Sequence, residues 1–280
     1  MNVIYKNDSV VITEASSFNL EQTFECGQCF RWSKTDCGTY SGVAFGKALT
    51  ISQKDTTVTL QGCNKNDFEN VWYSYFDLGT DYDEIKDSLA SLHPVLKEAQ
   101  QYAPGIRILN QEPWEALCSF IISQNNNIPR IKGIIDRLCR QYGKPIDDNL
   151  YAFPTAERLS RCTVDDLAPL RSGFRAKYIV DAAAKAATNE TNLHEIKKMP
   201  VEQARKELMK IKGVGPKVAD CTMLYGMGKK ECFPMDVWMK RAMDVLFPNL
   251  TPEDFGTNAG IAQQYIFHYS RMNPQLFEQP

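Results

Sequence analysis

Histidine is scarce in this chain, at three in 280 residues, which leaves little material for a histidine-built metal centre. The closest cysteine pair, Cys26 and Cys29, has CxxC spacing, but no second CxxC and no nearby histidine pair completes a zinc site. Nine cysteines is an odd count, and reduced core or pocket thiols are expected rather than disulfides or a metal. No stretch approaches the ~20 apolar residues of a membrane-spanning helix. The opening MNVIYKNDSVVITEA carries neither a basic leader nor a sustained apolar run. Residence inside the cell is expected, in the cytoplasm and nucleoid or in a nucleus, with no membrane partner. Positive charge is not in excess either: the net charge is −2, which argues against broad polyanion binding but leaves room for a local basic cleft.

What is present falls into two textures. The first ~60 residues read as short strands, SVVITEA, TFECGQCFRWSK, GTYSGVAFGKALTIS and TTVTLQG, rich in Val, Thr, Tyr and Phe with Gly at the turns. From about Asn66 the period becomes helical and is broken by Pro and Gly, as in DEIKDSLASLHPVLKEAQQY, PWEALCSFIISQ, PRIKGIIDRLCRQYG, TAERLSRCTVDDLAPL, RAKYIVDAAAKAA and PVEQARKELMKI. The expected class is α+β. An N-terminal antiparallel sheet subdomain with flanking helices spans residues 1–108, and a mainly helical two-part core spans residues 109–280.

Within that core, residues 201–226 read as helix, hairpin, helix. Val201, Ala204, Leu208 and Ile211 lead into KGVG, and Val218, Cys221 and Tyr225 resume a helical stripe after it. Gly213 and Gly215 allow close backbone approach, so the N–H groups of the turn and of Val218 in the next helix's first turn can face one anion, such as a nucleic-acid phosphate. A G-x-G turn alone is more often a plain link between core helices. Lys217 adds a cation where the helix dipole is already positive, which asks for a negative partner or for loss of the lysine's proton. Cys221 lies one turn on, on the same face. Asp236, in FPMDVWMKRAM, has the position of a plain N-cap. A lysine and a carboxylate working together can attack carbon and stabilise positive charge developing on a sugar.

The hairpin with Lys217, the VADC that follows and the downstream PMDV resemble the helix-hairpin-helix DNA glycosylases, and among them the 8-oxoguanine branch. CGQCFRW resembles that family's base-recognition turn, SQNNNIPRIKGIIDRLC its strand-separating segment, RSGFRAKYI its helical wedge and NAGIAQQYIF its C-terminal pocket helix. The resemblance covers nearly the whole chain, with the motifs in order.

It implies excision of 8-oxoguanine from duplex DNA, preferentially opposite cytosine, followed by strand cleavage. Lys217 would be the nucleophile at C1′ and Asp236 the stabiliser of the oxocarbenium-like transition state. The Gly27 carbonyl would accept from the N7–H of the oxidised base, where normal guanine presents a lone pair. Cys221 and Phe267 would sandwich the flipped base and Gln263 would read its Watson–Crick edge. Asn125 would fill the vacated space beside the Phe174 wedge, while Arg130 and Arg175 would donate to the orphaned cytosine. Gly213, Gly215 and Val218 would hold the DNA backbone.

Taken singly, Phe267 reads as core packing, Gln263 and the two arginines as surface residues, and the asparagine triplet as a polar loop. A monomer is expected, with no cofactor beyond a monovalent cation that hairpin carbonyls could hold. An iron–sulfur cluster is not expected, because only Cys232 follows Cys221. Two departures stand out. Trp238 occupies the place of a phosphate-binding histidine, and Cys29 that of a small hydroxyl residue. The rival readings are a glycosylase for alkylated bases, which generally lacks this lysine, and a noncatalytic DNA-binding module, which leaves Lys217, Cys221, Asp236 and GQCFRW unexplained.

Overall fold

The structure is a computed structural model and describes residues 1–147 and 149–277. Strands β1 (Asn2–Lys6) and β2 (Ser9–Thr13) pair antiparallel, with Val3 opposite Ile12 and Tyr5 opposite Val10. After α1 (Leu20–Phe24) come β3 (Trp32–Lys34), β4 (Tyr40–Ala44), β5 (Lys47–Lys54) and β6 (Thr57–Gln61). The sheet order is β1-β2-β6-β5-β4-β3. β-Branched and aromatic side chains suit the pleated surface, and Val10, Ile12, Ile51, Val58 and Leu60 are almost completely buried.

Helices then take over. The pieces α2 (Lys65–Asp67) and α3 (Tyr73–Tyr75) flank a π-helical turn at Phe68–Trp72, followed by α4 (Tyr82–Leu92) and α5 (Pro94–Tyr102). Pro94 divides the last two, since it cannot continue α4 but fits the first turn of α5. Next are α6 (Pro113–Ser123), α7 (Ile128–Tyr142), α8 (Ala156–Leu159), α9 (Ala176–Ala187), α10 (Leu193–Lys198), α11 (Val201–Leu208) and α12 (Pro216–Met227). Helices α13 (Val237–Leu246) and α14 (Ala259–Met272) complete the set. The α+β expectation, sheet first and helices after, holds.

Two local expectations do not, and one strand was not expected. TFECGQCFRWSK is a strand only at Trp32–Lys34, because the Asn19 side chain accepts from Gln22 N–H and starts α1 instead, burying Leu20, Thr23 and Phe24. The opening Asn2–Lys6 is a strand that the sequence reading passed over; its mostly exposed residues leave no apolar alternation to detect. TAERLSRCTVDDLAPL is helical for one turn and then irregular. There Asp166 accepts from both the Thr163 N–H and hydroxyl, a local turn that competes with helix.

The chain forms two compact units. One comprises residues 1–28, 52–109 and 229–280, the other residues 29–51 and 110–228. The first has an aromatic core in which Phe18, Phe24 and Trp72 surround Phe76 at centroid distances of 5.3, 6.2 and 6.0 Å. Arg107 is fully buried beside it and gives its guanidinium protons to the carbonyls of Ser17, Phe76, Asp77 and Thr80. The second unit is built on α6 and α12. Residues 115–122 of α6 and 218–227 of α12 are all buried, the pattern of helices enclosed on every side. The Gln111 N–H donates to the Tyr225 carbonyl at 2.7 Å, and Phe120 stacks on Tyr225 at 5.2 Å.

Candidate active site

In the second unit the hairpin forms as expected. Gly213 has φ +79°, a conformation that L side chains rarely adopt, and the turn closes with Val214 N–H on Ile211 C=O at 3.0 Å. Gly215 is the N-cap of α12 and brings no side chain to cap its first N–H groups, so these donors remain for an anion. Val218, in the first turn of α12, is 3% exposed. Lys217 stands in the first turn, half-buried, with Nζ 5.2 Å from the centre of the Phe120 ring. The acid nearest in sequence, Asp220, is bound to Arg205 at 2.7 Å and so does not neutralise the lysine. Cys221, one turn beyond Lys217, is 3% exposed.

The same unit carries the residues expected to face the opened duplex. Asn125 is exposed, with φ +48°. Asn127 caps α7 by accepting from Arg130 N–H at 3.0 Å, and the exposed Arg130 reaches the Arg171 carbonyl at 3.4 Å. Phe174 is 48% exposed and meets Tyr178 edge-on at 5.9 Å. Arg175 is not a surface arginine, being 2% exposed beneath the Phe174 ring at 4.4 Å. Its Nε donates to Gln124 O at 2.9 Å, its Nη1 to Ser172 O at 3.1 Å, and its Nη2 to Gln124 O and, at 2.8 Å, to Asn125 O. Burial first, and the neighbouring Arg130 charge second, lower its pKa from the ordinary arginine value.

The first unit holds the other group. Gly27 has φ +86° in a turn built around Gln28, which is completely buried. The Gln28 amide donates to Thr23 O at 2.9 Å and Arg107 O at 2.7 Å, while its oxygen accepts from Leu109 N–H at 2.9 Å. From α14, Gln264 Nε2 donates to Cys26 O at 3.0 Å. The Cys26 thiol is buried, and desolvation pushes its pKa up to about 12.

Gln263 is buried as well, against its solitary reading as a surface residue. Its Nε2 donates to Pro234 O at 3.3 Å, and its Oε1 has no hydrogen-bond partner among the described residues. Phe267 is half-exposed rather than core, with the Arg271 guanidinium 5.4 Å from its ring. Asp236 does cap α13, its Oδ1 accepting from Met239 N–H at 2.7 Å, which leaves the rest of the carboxylate available at the positive end of the helix. Trp238 turns its indole N–H to Ser270 Oγ at 2.9 Å and packs edge-on to Phe277, so it is engaged inside the unit.

The geometry therefore gathers Lys217, Cys221, Gly213, Gly215, Val218, Asn125, Arg130, Phe174 and Arg175 in one unit and Gly27, Asp236, Gln263 and Phe267 in the other. Sequence reasoning passed over Gln28, Gln264, Arg107 and Phe120. Nothing in a run such as ECGQCF marks its glutamine as a buried staple, because its partners Arg107 and Leu109 lie about eighty positions away. Among the described residues, no group of three or more His, Cys, Asp or Glu side chains is arranged to hold a metal ion. No helix there is long and apolar enough to cross a membrane.

Comparison with known proteins gives this arrangement a context. Residues 10–117 match the family described as 8-oxoguanine DNA glycosylase, N-terminal domain, and residues 118–254 match the HhH-GPD superfamily base excision DNA repair protein. An N-glycosylase/DNA lyase of Saccharomyces cerevisiae is 35% identical over 85% of this chain and 70% of its own length. N-glycosylase/DNA lyase OGG1 of Arabidopsis thaliana is 30% identical over 90% of this chain and 77% of its own. Among solved structures, the 8-oxoguanine glycosylase/lyase of Clostridium acetobutylicum, bound to double-stranded DNA with cytosine opposite 8-oxoguanine, superposes with a TM-score of 0.91. It is 41% identical, covering 98% of this chain and 99% of that one. MBOgg1 in complex with a low-affinity DNA ligand superposes at 0.93 with 44% identity, covering 98% and 99%. On these likenesses the chain belongs to the 8-oxoguanine DNA glycosylase family of helix-hairpin-helix base excision repair proteins.

Proposed function

We propose that the chain is a bifunctional DNA glycosylase and lyase that flips 8-oxoguanine out of duplex DNA, preferentially opposite cytosine, removes it and cuts the strand. The observation that carries the reading is Lys217, half-buried in the first turn of α12 with the nearby carboxylate of Asp220 already paired to Arg205. An unperturbed lysine titrates near ~10.4, so attack requires a proton to leave its Nζ.

Neutral Nζ attacks C1′ of the damaged nucleotide, and the base departs with the electron pair of the glycosidic bond. Asp236 stabilises the positive charge that builds on the sugar as this bond breaks. Opening of the sugar ring gives a Schiff base on Lys217. Loss of a C2′ proton then expels the 3′ phosphate by β-elimination, and hydrolysis frees the lysine.

Base selection rests on the Gly27 carbonyl accepting from N7–H. The orphan Oε1 of Gln263 is an acceptor for the N–H groups on the Watson–Crick edge, and Cys221 and Phe267 enclose the base faces. Asn125 and Phe174 take the vacated space. Arg130 and Arg175 donate to N3 and O2 of cytosine, for which Arg175 exchanges at least one of its carbonyl partners. We divide the labour between a sheet subdomain at residues 1–108 and a catalytic core at residues 109–280.

Borohydride trapping on duplexes carrying 8-oxoguanine opposite each of the four bases tests the whole reading. A covalent adduct is expected with the wild type, most strongly opposite cytosine, and none with Lys217→Gln. An adduct that persists in Lys217→Gln would remove the lysine from its role. Equal trapping opposite all four bases would remove Arg130 and Arg175 from theirs.

A further inference from the structure

Helix α9 begins at the wedge and runs against the hairpin, and three of its residues, at positions 178, 181 and 185, meet the hairpin from one helical face. The Tyr178 ring lies over Gly213 so closely that a Cβ on the glycine would stand 2.4 Å from the ring's Cγ and Cδ2. Asp181 Oδ2 accepts from Lys212 N–H at 2.7 Å. Lys185 Nζ donates to Lys210 O at 2.6 Å and approaches Asp181 at 3.4 Å. Tyr178 also packs edge-to-face with Phe174 at 5.9 Å, and Phe174 precedes α9 in a 3-10 turn that passes into the helix without a break.

We infer that Tyr178 and Asp181 are positioning residues that fix the wedge to the hairpin, so that gripping the DNA backbone and kinking the duplex at Phe174 are one rigid event. This rests on the wedge and hairpin roles proposed above. A helix held to the hairpin by two hydrogen bonds and one packed ring cannot let the two DNA contacts adapt separately. The bend imposed on the duplex is then set by the protein, and the cost of deforming DNA is met by binding at both ends of α9.

The test compares Tyr178→Leu with Asp181→Ala, singly and together, using Tyr178→Phe and Asp181→Asn as conservative partners that keep the ring and the acceptor. Bending is read by energy transfer between dyes at the ends of an uncut 8-oxoguanine duplex, in a Lys217→Gln background. Single-turnover cleavage is measured on an intact duplex and on one nicked opposite the lesion, which bends freely. On the intact duplex the double variant is expected to bend DNA less and to cleave about tenfold more slowly, the scale of one lost hydrogen bond with its packing. On the nicked duplex it should recover to within about twofold of wild type, and Tyr178→Phe and Asp181→Asn should follow wild type on both.

Equal losses on both duplexes, or an unchanged bend, would overturn the coupling. Phe174→Ala separates the two levels. If it leaves the bend intact, the wedge role itself fails, whereas a bend lost in Phe174→Ala but kept in the double variant sinks only the coupling. Because bending is read without chemistry, it decides the matter even for a chain that fails to cut.

Discussion

The turn at Gly27 and the loop at Asn125 are both expected to meet the target base pair, yet they are built in opposite ways. At the turn, Gln28 uses both ends of its amide and Gln264 fixes the Cys26 carbonyl, so the backbone around Gly27 is held on several sides. At the loop, Asn125, Arg130 and Phe174 are exposed, and the backbone is held by the buried Arg175 guanidinium gripping the Gln124 and Asn125 carbonyls and by short-range bonds of the Asn126 and Asn127 side chains. The difference suits the task proposed for each. Distinguishing 8-oxoguanine from guanine by one hydrogen on N7 needs an acceptor that cannot shift to accommodate its lone pair. Entering a base stack needs side chains that can reach outward and exchange partners.

Breaking the rigid side should have the largest effect. Gln28→Ala leaves the Leu109 N–H and the Thr23 and Arg107 carbonyls without this partner in a dry interior, and a loss of about 2–4 kcal/mol is expected in denaturant unfolding. Gln28→Glu should not rescue it, because a carboxylate cannot donate to the two carbonyls. A stability within about 0.5 kcal/mol of wild type would show that the turn is not held as described.

Breaking the adaptable side should be milder for stability and sharper for selectivity. Arg175→Lys keeps the charge but loses the planar fork, and excision opposite cytosine is expected to fall about tenfold relative to excision opposite adenine. Arg130→Ala should lower the same ratio less, since Arg130 holds one long hydrogen bond where Arg175 holds four. If excision falls equally opposite all bases in both variants, the two arginines do not read the partner base.

The smallest effect concerns thiols, one from each unit. The Thr35 and Thr39 hydroxyls lower the exposed Cys37 thiol to about 7, whereas burial raises Cys26 to about 12. The thiolate is the reactive form and increases as pH rises through the pKa. Iodoacetamide should therefore modify Cys37 with a midpoint near pH 7 and spare Cys26 through pH 9, as read by mass spectrometry of peptides. Excision should be unchanged by the Cys37 adduct. Rapid alkylation of Cys26 would mean that the Gly27 turn opens in solution.

How much of this could be read from the chain depends on the range of the interactions. The hairpin, the position of Lys217 and the cap at Asp236 were legible because each is set within a few residues, by a turn, a helical period or an N-cap. The α+β division was legible for the same reason, in a change of period near Asn66. What escaped was long-range or contrary to residue type. Gln28 is a polar residue whose partners are about eighty positions distant, and Arg175 is an arginine that the fold buries. The end of α1 was hidden because its Thr23 and Phe24 are strand-forming residues at the head of TFECGQCFRWSK, a preference that the capping bond from Asn19 outweighs.

The Gln28 staple has a consequence for how tightly a lesion can be held. A loop that becomes ordered only on meeting its ligand loses conformational freedom at that moment, and affinity falls accordingly. Here the freedom of the turn is surrendered once, when the chain folds, so the acceptor proposed at Gly27 would meet each passing guanine already in place. On that proposal, discrimination would cost no reorganisation of the turn at the encounter.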